Sequence, residues 1–404
     1  MLQQDKRLSP LRIEITYAGA MGTYCAGNCA LTTFIAVFLS YHGFSDGQIG
    51  YTTALIYLTT IAFQLTLSAY SDKHPALPLR KIILGLYLLT LAAAGTLYLL
   101  PLPVLAMMLI YTLACGSNNC TCAMLTALMM KYLNRGIPVR YGWPRGVGSI
   151  AYASLAAVLG GWMETFSPDI MLPIFLIVGV LCIVTLFLMP AIDDTPIPKV
   201  RQTGKDSYFF MLRSNPTLLL LLCACVISGM GSASFNTYLI RIIQRLGGTS
   251  HELGLAVFLQ SGVELPAMLC SPLLLKKFSP KQLLTFSFLV VPCKLTLILL
   301  SRSLTMLFCV LPISICCFGL YGFASVLFAN SIVPENQTVR AQSLLALSYT
   351  SGLGGILGNI FSGAFIDRIG LTALLWTSIG IVVLGASIMV CCARSHAKRF
   401  PQAK

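Results

Sequence analysis

The sequence predicts an all-α polytopic membrane protein, with twelve transmembrane helices arranged as two pseudo-symmetric six-helix bundles. Three observations carry that reading. Of the 404 residues, 56% are hydrophobic and only 10% charged, with a mean hydropathy of +0.82, whereas a soluble domain carries about 25% charged residues. Most of this surface therefore faces lipid. The apolar runs are continuous and reach the roughly 20 residues that cross a bilayer as a helix, and spanning backbone must be helical or a closed barrel. One long polar stretch, "AIDDTPIPKVRQTGKDSYFFMLRSN" at 191–215, bisects the chain.

Apolar runs between charged breaks give the elements in order. The first span, 13–40, is long enough for two segments and is taken as one tilted helix. Spans at 47–71, 82–100, 103–130, 143–163 and 171–190 complete an N-terminal bundle, residues 1–190. Residues 191–215 read as a cytoplasmic linker. The C-terminal bundle, 216–404, holds spans at 216–244, 252–275, 282–300, 304–330, 341–366 and 371–392.

Charge orients the bundle, because Lys and Arg favour cytoplasmic loops. With the N-terminus inside, 21 of the 27 Lys and Arg fall in cytoplasmic segments. Four fall outside, Arg241, Arg245, Arg302 and Arg368, and two, Arg145 and Lys294, fall within spans. Both termini are expected in the cytoplasm of a cell carrying the protein in its plasma or bacterial inner membrane. The net charge of +14 is a topology signal, and no dense basic stripe with interleaved aromatics points to nucleic acid. The 15 cysteines are mostly inside spans, so they read as small packing residues rather than a disulfide framework. Cys120 and Cys122 lack partners at metal-site spacing. The polar first twelve residues and the long first apolar run do not match a cleavable signal peptide.

The halves repeat. A shift of 204 lays "LTTFIAVFLSYHG" on "FNTYLIRIIQRLG", matching Thr33 to Thr237 and Gly43 to Gly247, and carries Ile49 and Gly50 onto Leu253 and Gly254. A shift of 200 matches Val139 and Arg140 to Val339 and Arg340. Parallel repeats of this kind build one large transporter class, with the substrate site between the repeats.

With those features the chain resembles the major facilitator superfamily over essentially its whole length. The family's signature between spans two and three is matched in degraded form by "LSAYSDKHPALPLRKII", with Ser68 where Gly is usual, then Asp72, Lys73, Arg80 and Lys81. The counterpart "SGAFIDRIG" keeps Gly363, Asp367, Arg368 and Gly370. Such acid–base groups at helix ends can hold one conformation until broken, which makes Asp72, Lys73, Arg80, Asp367 and Arg368 candidates for gating; the alternative is ordinary loop charge. Three segments, "YGWPRGVGSIAY", "VELPAML" and "IVPENQTVRAQSLLAL", are similar to the branch containing phenylpropionate permease, nucleoside–proton symporters and lactose permease. That branch implies proton-driven uptake of a small polar or amphipathic solute.

A charge at a helix centre costs about 2.5 to 3.5 kcal/mol on insertion scales, so Glu264, Lys294 and Arg145 are the candidates for chemistry. Glu264 is the titratable acid in mid-span and the candidate proton carrier, because burial raises and a nearby cation lowers a carboxyl pKa. A permanent salt bridge to Lys294 or Arg145 is the competing role. Pro266 is expected to kink the span just beyond, and Gln260 stands one turn before it. Arg145 opens a stripe with Gly148, Ser149 and Tyr152 at helical spacing, and its guanidinium can fork two bonds to a solute or snorkel to the cytoplasmic face. By resemblance it matches the span-five Arg that contacts substrate in lactose and nucleoside carriers, and Lys294 matches a span-nine basic residue. Glu14 lies near the cytoplasmic end of span one, where water can reach it. Tyr24, Asn28, Asn119, Asn236 and Tyr321 add neutral polar groups that line a cavity or bridge helices.

The resemblance has departures. Span four offers Asn118 and Asn119 where lactose permease has a carboxylate, and span ten has neither acid nor His. Coupling would rest mainly on Glu264, with the proton gradient and no cofactor or metal as the energy source. No nucleophile with a base, metal cluster or phosphate loop suggests an enzyme. An efflux antiporter and a non-transporting sensor on the same fold are the rival readings; the Pro of the antiporter span-five motif is missing from "GSIAYASLAAVLGGWM". The expected partners are a small solute, protons and lipid, and the expected state is a monomer.

Overall fold

The computed structural model describes residues 9–74, 77–135, 137–140, 142–190, 208–334 and 337–399. Residues 191–207 of the expected linker and the side chains of a few helical residues, Asp72 and Glu264 among them, lie outside the described set. Among the described residues there is no strand. The helices are α1 (Pro10–Thr32), α2 (Ile35–Tyr41), α3 (Asp46–Lys73), α4 (Leu79–Leu99), α5 (Val104–Asn134), α6 (Gly142–Thr165), α7 (Met171–Leu188) and α8 (Tyr208–Ser214). They continue with α9 (Pro216–Thr237), α10 (Leu239–Arg245), α11 (Ser250–Gly262), α12 (Glu264–Lys277), α13 (Pro280–Leu300), α14 (Leu304–Val310), α15 (Leu320–Ile332), α16 (Thr338–Ala346) and α17 (Leu353–Arg399).

Among the described residues, nine helices are long and apolar enough to cross a membrane, or ten when the bent pair α1–α2 is one span. The apolar part of α17, Leu353–Ser395, has 43 residues, about 65 Å at 1.5 Å per residue, twice the hydrocarbon core. Gly370 interrupts it with φ 78 and ψ 166, a conformation open to glycine, so α17 is two spans. With α11 and α12 as one broken span, the helices accord with the twelve expected.

Span one departs from the single tilted helix expected. It bends by 43° between α1 and α2. No proline is present; instead the Tyr111 hydroxyl of α5 donates to the Leu31 carbonyl, occupying the acceptor that the amide of Ile35 would use, and an inserted side chain kinks a helix. In span eight the break falls at Val263. Pro266 explains it, since a proline has no N–H for the carbonyl four residues back and its ring crowds that carbonyl. Glu264 is thus the first residue of α12, at a discontinuity inside a span.

The repeat is visible in the backbone. The shift of 204 carries Ile35–Tyr41 onto Leu239–Arg245 and Asp46, the start of α3, onto Ser250, the start of α11. Gly43 and Gly247 end the two short helices with the same φ of 81.

Two compact units emerge, one of Met1–Gly43 with Leu58–Pro198, the other of Phe44–Tyr57 with Lys199–Lys404. In the first, α1 packs on α5, α6 and α7, while α4 packs on α5 and α7; Tyr17, Phe34, Tyr87, Tyr111 and Phe175 are among its large buried side chains. In the second, α9 lies along α17, and α13 packs on α15 and α17, around a core with Leu221, Phe288, Phe328 and Met389. Hydroxyls stitch α9 to α17: Ser234 and Ser362 are 2.6 Å apart, and Thr237 donates to Asn359 Oδ1 at 2.7 Å. Close approach and such bonds replace the hydrophobic effect as the glue between helices in lipid.

Candidate functional site

In the second unit a cleft gathers three of the residues singled out in the sequence, Asn236 of α9, Gln260 of α11 and Lys294 of α13. Phe235 and Phe318 wall it, and Ser232 adds a hydroxyl. Lys294 is 3% exposed, and a bare ammonium in such a place needs compensation. Its Nζ donates to Ser314 Oγ at 2.6 Å, Ser314 donates onward to the Leu311 carbonyl at 2.7 Å, and Nζ lies 5.5 Å from the centre of the Phe318 ring. Asn236 and Gln260 make no hydrogen bond among the described residues. Their amides, one exposed and one half-buried, are available to a ligand.

Span ten shapes this cleft in a way the sequence reading did not anticipate. After α14 it passes through a 3₁₀ turn, Leu311–Ile313, and a π-helical turn, Ile315–Gly319, before α15. Pro312 breaks the regular ladder, and π-turns recur at functional sites. Ser287 of α13 donates to the Cys317 carbonyl at 2.7 Å, satisfying a backbone group in the turn. The turn presents Cys317 and Phe318 to the cleft. Span ten thus supplies a hydroxyl and a ring in place of the acid and His it lacks. Glu264 begins the helix that follows Gln260 after one turn; its side chain lies outside the described set.

The first unit holds a second group. Arg145 of α6 is half-buried, donates from Nη1 to Ser149 Oγ at 3.3 Å and lies within electrostatic reach of Tyr24, Cys25 and Cys122. The stripe predicted on α6 faces α1: a Cβ on Gly148 would stand 2.8 Å from Cys25 Sγ, and Thr33 donates to the Tyr152 hydroxyl at 2.9 Å. Asn118 donates to Asn28 Oδ1 at 2.9 Å. Asn119 is half-buried. Tyr321 goes elsewhere. Its ring stacks on Tyr349 at 4.3 Å, and its hydroxyl reaches Cys225 Sγ at 3.7 Å, so it packs against the core of the second unit.

The gating candidates separate. Arg80 donates to the Met189 carbonyl at 2.6 Å, stapling the start of α4 to the end of α7. Lys73 is exposed in the last turn of α3, and the Asp72 side chain lies outside the described set. Asp367 accepts from the Gly47 amide with both oxygens at 3.2 Å and from Ser45 Oγ at 3.2 Å, capping the N-terminus of α3, where amides lack helical partners and an anion is favoured. Arg368 is exposed. Sequence reasoning missed the companion pair, in which Arg241 of α10 grips Asp46 Oδ1 through Nε at 2.9 Å and Nη2 at 2.6 Å. Tyr238 also donates to the Asp46 carbonyl at 2.7 Å. All of these α3 contacts lie within the second unit. A repeat-matched aromatic at the end of α9 was the available signal for Tyr238.

The model of the MFS_1 like family matches residues 17–379. The chain belongs to that major facilitator family. A maltose permease of Geobacillus stearothermophilus is 24% identical over 367 residues, covering 88% of this chain and 89% of the permease. Among solved structures, the nucleoside transporter NupG matches with a TM-score of 0.77 at 15% identity, covering 95% of this chain and 98% of that one. A bacterial homologue of the human lysosomal transporter Spinster matches with a TM-score of 0.73 at 15% identity, covering 96% and 98%. This facilitator is a multi-pass membrane transporter and not an enzyme.

Proposed function

We propose that this major facilitator is a proton-coupled symporter that imports a small ring-bearing polar solute, a nucleoside, a sugar or an aromatic acid, by alternating access. The observation that carries the reading is the cleft of the second unit, where a buried ammonium, two unengaged amides and two aromatic walls meet, one of the amides being that of Gln260, four residues before Glu264. Ligand sites of this kind combine apolar walls with a few polar groups that fix orientation. The relatives lend support, since one is named for maltose and another for nucleosides. Glu264 carries the proton, and Lys294 tunes it as a neighbouring cation. Neutralising Glu264 removes the cost of carrying a charge within a span. Arg145, Tyr24, Asn28, Asn119 and Tyr152 supply the first unit's share of solute contacts, with Asn236 and Gln260 from the second; Tyr321, packed on Tyr349 and Cys225, is no longer among them.

Asp72, Lys73 and Arg80 gate on the cytoplasmic side, Asp367 and Arg368 on the opposite side. The protein works as a monomer in a plasma or bacterial inner membrane, with its termini inside. The test is uptake of labelled nucleosides, sugars and aromatic acids into vesicles bearing an acid-outside gradient. Accumulation of one class above equilibrium, abolished by a protonophore, is expected; extrusion driven by the same gradient would establish an antiporter instead.

A further inference from the structure

Span eleven is interrupted within its length. The helix α16 stops at Ala346, α17 starts at Leu353, and the residues between, "LSYTSG", are not helical. A wide turn joins the two helices. The amides of Leu353, Gly354 and Gly355 donate to the carbonyls of Leu347, Ser348 and Tyr349 at 2.8, 3.2 and 3.2 Å, six residues back where an α-helix uses four. Glycine permits this: a Cβ on Gly352 would overlap the Leu347 carbonyl oxygen, and one on Gly355 the Thr350 carbonyl oxygen. The turn leaves three consecutive amides, those of Tyr349, Thr350 and Ser351, that donate to nothing among the described residues. Irregular backbone persists at membrane depth only where protein buries it or water reaches it. Tyr349 is buried, but Thr350 is half-buried and Ser351 is exposed, so their amides require water or a ligand.

The interruption adjoins the cleft of the second unit. Gly229 of α9 packs on it, since a Cβ there would lie 3.0 Å from the Tyr349 carbonyl carbon and 3.2 Å from the Thr350 nitrogen. Ser232, three residues on, lines the cleft, and the Phe318 wall stands 6.1 Å from the Tyr349 ring, centre to centre. Ser228 and Ser232 are 1% and 2% exposed, and neither hydroxyl has a hydrogen-bond partner among the described residues. Both approach the Tyr349 hydroxyl without bonding to it. A buried polar atom left unsatisfied is expensive unless something fills the place. Neither α9 nor Leu347–Gly352 carries a charged residue or a histidine, so at this end of the cleft a carboxylate finds no cation from either. A ring hydroxyl, donor and acceptor at once, suits both the amides and the serine hydroxyls. We infer that the span-eleven interruption is a neutral polar end of the cleft that holds a hydroxyl-bearing ring, with Ser232 and the Thr350 and Ser351 amides as its contacts. The inference rests on the proposed reading of the cleft as the solute site, and it narrows the solute to a sugar or a nucleoside.

The test reads water and solute separately. Full-length protein carrying Thr350→Cys, Ser351→Cys or Ile360→Cys is placed in lipid nanodiscs, where both faces are reachable, and treated with sulfonatoethyl methanethiosulfonate. Labelling is read at the introduced cysteine by site-resolved mass spectrometry, and two reporters in the turn guard against one variant folding poorly. Ile360 is an exposed apolar position of the same span and reports lipid. Because the reacting species is a thiolate, which forms in water, Thr350→Cys and Ser351→Cys are expected to label at least about tenfold faster than Ile360→Cys. A saturating pool of sugars or of nucleosides is expected to slow that labelling severalfold, and a pool of aromatic acids to leave it unchanged. Ser232→Ala is expected to keep the wild-type thermal midpoint and to raise about fivefold the pool concentration that halves labelling, through one lost hydrogen bond. Labelling in the turn no faster than in Ile360→Cys overturns the inference, as do labelling that neither hydroxylated pool slows, equal slowing by aromatic acids, and unchanged protection in Ser232→Ala. Protection by a hydroxylated pool that is never taken up would sink the symporter reading and leave this one standing; uptake of such a pool without protection would do the reverse.

Discussion

At the scale of single residues, Lys294 and Ser314 are the pair whose energetics can be separated. A buried ammonium that loses a hydrogen-bond acceptor keeps its desolvation cost, whereas replacing the charge by an apolar chain of similar length removes both. Ser314→Ala is therefore expected to cost about 1 to 3 kcal/mol and to lower the thermal midpoint, while Lys294→Met leaves the midpoint near wild type and abolishes concentrative uptake. A stable Ser314→Ala protein with normal uptake would show that Ser314 does not hold the ammonium. Part of this site was legible in the sequence. Lys294, Gln260 and Asn236 stand out because polar groups in an apolar span are expensive. Phe318 and Phe235 do not, since an aromatic in such a span looks like any lipid-facing or core residue, and Tyr321 was misleading for the same reason. Glu14 is buried, accepting from the Arg140 amide and the Trp143 indole. It was misread because those partners lie 126 and 129 positions away, and one of them is a backbone amide that no sequence pattern marks.

At the scale of elements, spans are dictated by the bilayer, and their interruptions by particular contacts. An interruption near Pro266 was legible, because proline writes its effect into the sequence, but it was expected just beyond Glu264 and falls before it, at Val263; the bend after α1 was not legible, because it depends on a hydroxyl from α5. The break matters to the proposal, since it places Glu264 at the start of a half-helix, as in transporters whose discontinuous helices hold substrate and coupling ions. Pro266→Ala restores the missing donor and relieves the crowding, so it is expected to join α11 to α12. The variant should be at least as stable as wild type by thermal melt, with proton-driven uptake slowed by about tenfold or more, a barrier change of ~1.4 kcal/mol. Unchanged uptake would show that the discontinuity plays no part in coupling.

At the scale of the whole molecule, hydropathy was enough to predict twelve spans, with which the described helices accord, because lipid leaves the backbone few choices. The duplicated architecture also surfaced, in the shared geometry of α2 and α10. What hydropathy does not report is the proposed coupling at Glu264, since that depends on the surroundings of one side chain in two conformations. The direct test is proton influx into liposomes holding the purified protein, triggered by nucleosides, sugars or aromatic acids, with wild type beside Glu264→Gln. The account predicts influx with one solute class in wild type and none in Glu264→Gln, while that variant still binds the same solute. Solute-dependent influx that persists in Glu264→Gln would contradict it and move coupling to another group.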